Sequence, residues 1–246
     1  MTFPAILGLD VSGTVLTVGQ GVKTFAPGDK VFAAAFQTYA PLCVVKAADL
    51  AKIPAGADLV ELAALPTVTT TGAQLAKLAM KKGPGETVLV TGAAGNVGRS
   101  AVYTAKSRGA TVIAGVLKRQ LGQAKQIGAD KEVALDDVSA VESLKALDAV
   151  ADTVSGPVVD VLIAKIKPGG VFASVLAPPT NAAAYPSIEV KTMQVARDPK
   201  NLIAMAGAVK SGALTIPLGE RFSLNDAAKA HAAAEKGSAG KILLVM

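Results

Sequence analysis

The chain has one cysteine, Cys43, and one histidine, His231. An internal disulfide is therefore excluded, and no Cys/His cluster of ordinary zinc spacing can form, so no metal site is expected. Long apolar runs are also missing: none approaches the roughly 18 residues needed to cross a bilayer, and residues 1–10 lack the basic region of a secretory signal. These absences predict a cytoplasmic protein with no membrane partner. Aromatic residues are only 4% of the chain, and no basic run is interleaved with them, which leaves little for base stacking and speaks against a nucleic-acid partner. Acidic residues are absent from one long stretch. Between residues 87 and 129 stand six basic side chains (Arg99, Lys106, Arg108, Lys118, Arg119 and Lys125) and no Asp or Glu, so this segment carries the whole formal net charge of +6. An anion is the natural partner for it, the alternative being a solvated basic helix face.

What is present is ample core: 51% of 246 residues are hydrophobic, enough for one large domain or two modest ones. The first 55 residues read as strand and turn, with apolar runs at 15–18 and 31–36 punctuated by glycines and a Pro27-Gly28-Asp29 turn. Helical texture begins near Asp58, with an Ala/Leu stretch at 59–65 and a second helix from Pro66 to the Lys82-Gly83-Pro84-Gly85 stop. From there strands and helices alternate. Strands are expected at 88–90, 111–116, 132–135, 149–154 and 171–175; helices run up to Arg108, up to Gly128, and over 158–167 with a Pro168-Gly169-Gly170 stop. Such alternation means an α/β fold with a doubly wound parallel sheet. The last 50 residues return to mixed texture, with helices near 201–210 and 225–236 and a final strand at 241–245.

The strongest motif follows the first strand of the alternating region: Gly92-Ala93-Ala94-Gly95-Asn96-Val97-Gly98. Its place between a buried strand and an amphipathic helix is the context that a dinucleotide fingerprint requires. Gly95 would let the backbone approach a pyrophosphate, Gly98 would let helix and strand pack closely, and the first N–H groups of the helix would face the phosphate charge. Ala93 stands where the usual pattern has its first glycine. A purely steric tight turn is the competing explanation for such glycines. Cofactor choice is read at the end of the next strand, where NAD-selective proteins place a carboxylate for the ribose 2′-OH. Here Val116 occupies that neighbourhood and is followed by Lys118 and Arg119, which favours a 2′-phosphate and hence NADP(H). If those cations merely opened a surface helix, they would sit unfavourably against its dipole.

With these residues placed, the chain resembles the zinc-independent, quinone oxidoreductase-like branch of the medium-chain dehydrogenase/reductase family. The likeness runs through essentially the whole chain, most specifically in Ile6-Leu7-Gly8-Leu9-Asp10-Val11-Ser12-Gly13, Gly28-Asp29-Lys30-Val31, the glycine loop, residues 147–156, Ala230-His231 and Gly240-Lys241-Ile242. It implies a Rossmann domain for the cofactor and a GroES-like β domain for the substrate, here truncated because the match opens part-way into that domain. The implied division is 1–60 for the partial GroES-like domain, 61–190 for the Rossmann domain and 191–246 for the return to the first. The resemblance adds Thr71, Thr153, Val154, Val175, Leu176 and Ala177 as residues near the nicotinamide half of the cofactor. It makes His231 structural, and it implies a homodimer through edge pairing of the Rossmann sheets, for which strand 171–175 is the expected edge.

The activity so implied is hydride transfer from NADPH to a quinone or an α,β-unsaturated carbonyl of a small molecule. No catalytic residue is assigned. Tyr39 is the only proton donor on offer, and packing is its other role. A redox-inactive NADPH-binding or sensor protein is the competing function, and a nucleic-acid-binding module using the basic segment is a third that the scarcity of aromatics disfavours.

Overall fold

The computed structural model describes residues 4–237 and 240–246, and their contacts divide the chain into two compact units, Met1–Thr70 with Ala196–Met246 and Thr71–Val195. In chain order the first unit supplies β1 (Asp10–Thr14), β2 (Lys30–Ala34), β3 (Ala51–Lys52) and α1 (Leu59–Leu62), and α2 (Pro66–Ala79) leads across the division. The second unit holds β4 (Thr87–Thr91), α3 (Asn96–Ser107), β5 (Thr111–Val116), α4 (Ala124–Ile127), β6 (Lys131–Ala134), α5 (Val138–Glu142), β7 (Leu147–Asp152), α6 (Pro157–Leu162), β8 (Ile166–Ser174) and β9 (Glu189–Thr192). The chain then returns to the first unit through α7 (Pro199–Lys210), β10 (Leu218–Ser223), α8 (Ala227–Glu235) and β11 (Lys241–Val245).

In the first unit β1, β2 and β3 form an antiparallel sheet, and β10 pairs with β11 in parallel. Asp10 ties three of its elements together. One carboxylate oxygen accepts the Thr67 N–H at 2.7 Å, capping the start of α2, and the other receives Lys241 Nζ of β11 at 3.1 Å. The apolar run at 15–18 is not a strand of its own: β1 precedes it, and only Val15 extends the ladder, through bonds with Asp29 and Gly28. Leu16 beyond it is 62% exposed, so no burial holds that stretch in a sheet.

The second unit is a six-stranded parallel sheet in the order β6-β5-β4-β7-β8-β9. This is the doubly wound α/β arrangement, in which strand order reverses beside the first strand and a crevice opens at the carboxyl ends. Strand alternation separates two cores. Val88, Val90, Ala149, Ala151, Val171 and Ala173 pack with α2 and α3 on one face, while Leu89, Val150 and Phe172 pack with α6 on the other. Leu89 and Phe172 have no exposed surface, and burying each contributes roughly 1.5–3 kcal/mol. The close pairing of α2 with α3 depends on Gly72, where a Cβ would collide with the Val97 carbonyl and lie 2.7 Å from the Ala101 nitrogen.

Two expectations need correction here. The helix expected over 158–167 stops at Leu162, with a single 3-10 turn at Ile163–Lys165, and the Pro168-Gly169-Gly170 segment lies inside β8. Pairing with β7 shifts from Leu147↔Ile166 to Ala149↔Val171, so those residues form a bulge, with Gly169 at φ +79° and its N–H bonded to Ser187. Nor is strand 171–175 an edge. β9 covers it, pairing Val171 with Glu189 and Phe172 with Val190, and the periodicity of the short, half-polar β9 had not marked it as a strand.

Candidate functional site

Above the carboxyl ends of β4, β5, β6, β7 and β8 lies a cavity of about 530 Å³. Its floor is the turn from β4 into α3: Gly92, Gly95, Asn96, Val97 and Gly98. Gly115, Val116, Leu117, Gln120, Leu135 and Asp136 bound it on the β5 and β6 side, and Thr153, Val154, Val158 and Val175 on the β7 and β8 side. The lining is largely apolar, and Leu117 and Val154 in it are 39% and 44% exposed. Exposed aliphatic side chains facing a concave crevice suit the flat faces of a bound ring system.

The glycines of the turn differ in their reasons. Gly92 has φ +59°, and a Cβ on it would stand 2.5 Å from Thr153 Oγ1 and 2.7 Å from Val154 Cγ1. At Gly98 a Cβ would run into the Gly92 carbonyl and Ala93 Cα, so glycine there lets α3 sit down on β4. Gly95 is unlike both. Its backbone is extended at φ −77° and ψ 166°, open to any residue, and a Cβ would find only the Gly92 carbonyl oxygen at 3.2 Å. A Cβ would press on that oxygen, and any longer side chain would take up part of the cavity that Gly95 lines. Gly95 is also the N-cap of α3, with no side chain capping it, so the first N–H groups of a 12-residue helix stay available for an anion. Shape and charge of this turn therefore fit a pyrophosphate.

Of the residues expected at the site, the fold brings Gly92, Gly95, Asn96, Val97, Gly98, Thr153, Val154 and Val175 together around this cavity. Ala93 is wholly buried, its N–H bonded to Gly115, and Ala94 offers its carbonyl to Arg99 Nε at 2.9 Å; neither belongs to the lining. Thr71 is buried on α2, whereas Leu176 and Ala177 are exposed, and all three lie outside the lining. Lys118 and Arg119 form an exposed 3-10 turn directly after Leu117 and are not among the lining residues either. Lys118 Nζ reaches Asp137 Oδ2 at 3.2 Å, and its N–H bonds Asp136 Oδ1 at 2.7 Å. The Ser139 hydroxyl, the Ala140 N–H and Lys118 together hold the Asp137 carboxyl down at about 2.

Sequence reasoning missed Gly115, Leu117, Gln120, Leu135, Asp136 and Val158. All but Val158 stand in the lining because β5 and β6 end side by side, with Val116 paired to Ala134; Val158 joins it from the first turn of α6. Only the residue after the strand end could have signalled them. Asp136 matters most, because it puts a carboxylate near the place where the sequence shows none. In the first unit, His231 meets Tyr39 edge to face with ring centroids 5.9 Å apart, a packing contact. Among the described residues no three His, Cys, Asp or Glu side chains converge as metal ligands, and no helix is long and apolar enough to cross a membrane.

Comparison with known proteins agrees with this architecture. Residues 1–67 match the alcohol dehydrogenase GroES-like domain, and residues 127–244 match the zinc-binding dehydrogenase family. Among the described residues no ligand set for the zinc of the second description is found, and Cys43 and His231 are the only cysteine and histidine in the chain. Over 201 residues the chain is 28% identical to an acryloyl-coenzyme A reductase of Metallosphaera sedula, spanning 69% of this chain and 59% of that protein. It spans only 3% of each of two Streptomyces polyketide synthases that it also matches. Among solved structures, the quinone oxidoreductase of Coxiella burnetii superposes with a TM-score of 0.87 at 26% identity, over 99% of this chain and 80% of that one. A mycobacterial protein complexed with NADPH superposes with a TM-score of 0.83 at 25% identity, over 100% of this chain and 84% of that one.

Proposed function

The chain belongs to the medium-chain dehydrogenase/reductase family, in its quinone oxidoreductase-like branch, and from that premise we propose that it binds NADP(H) and transfers hydride to a quinone or an α,β-unsaturated carbonyl. The observation that carries the reading is Gly95: a glycine at an uncapped helix N-terminus, in a backbone conformation that does not itself require glycine, lining a crevice at the carboxyl ends of parallel strands. On this reading residues 61–190 serve the cofactor, and residues 1–60 with 191–246 serve the substrate. The protein works in the cytoplasm as a homodimer.

Each part of the lining has a task. The α3 N-terminus and Gly95 hold the pyrophosphate, and Val116 with Leu117 leaves the 2′-position of the ribose without a carboxylate on β5. Lys118 and Arg119, next in sequence, draw the 2′-phosphate. Asp136 opposes them, and its engagement by the Lys118 N–H tempers that opposition. Thr153, Val154 and Val175 form the wall for the nicotinamide half. When bound, the cofactor supplies the hydride; the chain supplies orientation, electrostatics and exclusion of water. Zinc has no part in the reaction, and Tyr39, packed on His231, is not assigned as proton donor.

The test is a titration with both cofactors, followed by turnover. NADPH should bind at least about tenfold more tightly than NADH, a difference of about 1.4 kcal/mol, and replacing Lys118 and Arg119 with Ala should erase most of it. Equal affinities in the unaltered protein would sink the NADP reading. Consumption of NADPH with a panel of quinones and enones should persist in EDTA. Tight binding without turnover would favour a redox-inactive NADPH-binding protein instead.

A further inference from the structure

We infer that Asp152 is a positioning residue, whose buried carboxylate sets the wall of the cavity that takes the nicotinamide half of the cofactor; this rests on the dinucleotide reading above. Asp152 ends β7 and has no exposed surface. Among the described residues it has no ion-pair partner, and a charge in that position is costly unless hydrogen bonds compensate it. The compensation is extensive. Oδ1 accepts the Thr91 hydroxyl at 2.7 Å and the N–H groups of Val154 and Ser155 at 3.2 Å each, and Oδ2 accepts the Ser174 hydroxyl at 2.7 Å and Ser155 N–H at 3.3 Å.

The two hydroxyls give the network a direction. Thr91 Oγ1 itself accepts the Thr153 N–H at 2.8 Å, and Ser174 Oγ accepts the Leu176 N–H at 3.0 Å. Each hydroxyl proton is thereby committed to the carboxylate, so every contact points a donor at Asp152, as an acceptor-only group requires. One side chain thus governs the chain just beyond three adjacent strands, β4, β7 and β8. These are the segments that bring Gly92, Thr153, Val154 and Val175 to the cavity. Ser155 shows the cost of that control. It sits at φ +57° without being glycine, a left-handed conformation that side chains rarely adopt, and its N–H is held by both carboxylate oxygens.

A buried charge is a poor device for stability alone, since apolar packing of similar volume often serves as well or better. It is a good device for orienting several N–H groups at once. In a doubly wound sheet the adenosine half of a dinucleotide lies on the β5 side of the strand reversal and the second half on the other side. The hydrogen bonds of Asp152 run from the end of β4, at the reversal, to β7 and β8, and none of them is made to β5 or β6.

The experiment compares two ligands on two variants. NADPH spans both halves of the crevice, whereas adenosine 2′,5′-bisphosphate reaches only the adenosine half. For Asp152→Asn the affinity for NADPH should fall at least about tenfold, while that for adenosine 2′,5′-bisphosphate changes less than about twofold. Ser174→Ala keeps the carboxylate but removes one of its hydroxyl donors and releases the Leu176 N–H, and it should show the same split at about threefold; it decides the matter if Asp152→Asn has no cooperative melt. Equal losses for both ligands in a folded variant would mark a general structural role and overturn the inference, as would no loss for either. Failure of the unaltered protein to bind adenosine 2′,5′-bisphosphate at all would instead bring down the dinucleotide reading on which the inference stands.

Discussion

Gly95 and Gly98 lie three residues apart in one turn and exclude a side chain for different reasons, so substitutions there should fail differently. Gly95→Val places a branched side chain into the cavity from a backbone conformation that valine tolerates. Binding of NADPH should be lost by about a hundredfold or more, roughly 2.7 kcal/mol, with little change in the melting temperature. At Gly98 even alanine drives a Cβ into the Gly92 carbonyl and Ala93 Cα, a backbone collision that no side-chain rotation relieves. Gly98→Ala should cost about 1–3 kcal/mol of stability, any effect on the cofactor being secondary. Calorimetric titration beside thermal melts separates the two. Normal NADPH binding by a folded Gly95→Val protein would reduce the glycine run to a tight turn. The fingerprint was legible because glycine spacing and its strand-to-helix context are both local; which glycine serves space and which serves packing depends on neighbours that the spacing does not show.

At the scale of elements, the end of α3 is a case where local pattern and structure coincide. Gly109 has φ +81°, its N–H bonds the Lys106 carbonyl, and the Ala110 N–H bonds that of Ala105, the paired bonds of a Schellman stop. A Cβ there would also stand 3.0 Å from Pro84 Cβ. Gly109→Ala should therefore lower stability by about 1–2 kcal/mol, or a few degrees in the melt, and leave NADPH affinity unchanged. A melt equal to that of the unaltered protein would contradict the left-handed stop. The Pro168-Gly169-Gly170 segment carries the same kind of signal and ends no helix. There the gain from pairing β8 with β7 outweighs the local stop pattern and turns it into a bulge.

On the scale of the whole molecule, the homodimer prediction has to change its surface. Strand 171–175 is interior, and the edge on that side of the sheet is β9. Glu189 on β9 is bridged by Lys81 at 2.5 Å and Lys191 at 3.0 Å, and these two ammonium groups hold its carboxyl below the usual range. Charges at an edge discourage indiscriminate strand pairing while leaving a specific partner free to pair. Light scattering at micromolar concentration should give twice the chain mass of 24.6 kDa. A mass of one chain would remove the dimer.

The alternation of strands with helices from β4 to β8, the glycine turn and its context, and the scarcity of cysteine and histidine were legible in the sequence. Hydrophobic period, turn residues and composition are local properties, legible without knowing what lies opposite. Tertiary structure alone decided that β9 closes the sheet, that Asp136 joins the lining from the end of β6, and that Asp152 gathers donors from Thr91 and Ser174. Asp152 lies 61 positions from Thr91 and 22 from Ser174. Those contacts exist because parallel strands distant in sequence end side by side, and no periodicity within a strand records which strand will be its neighbour.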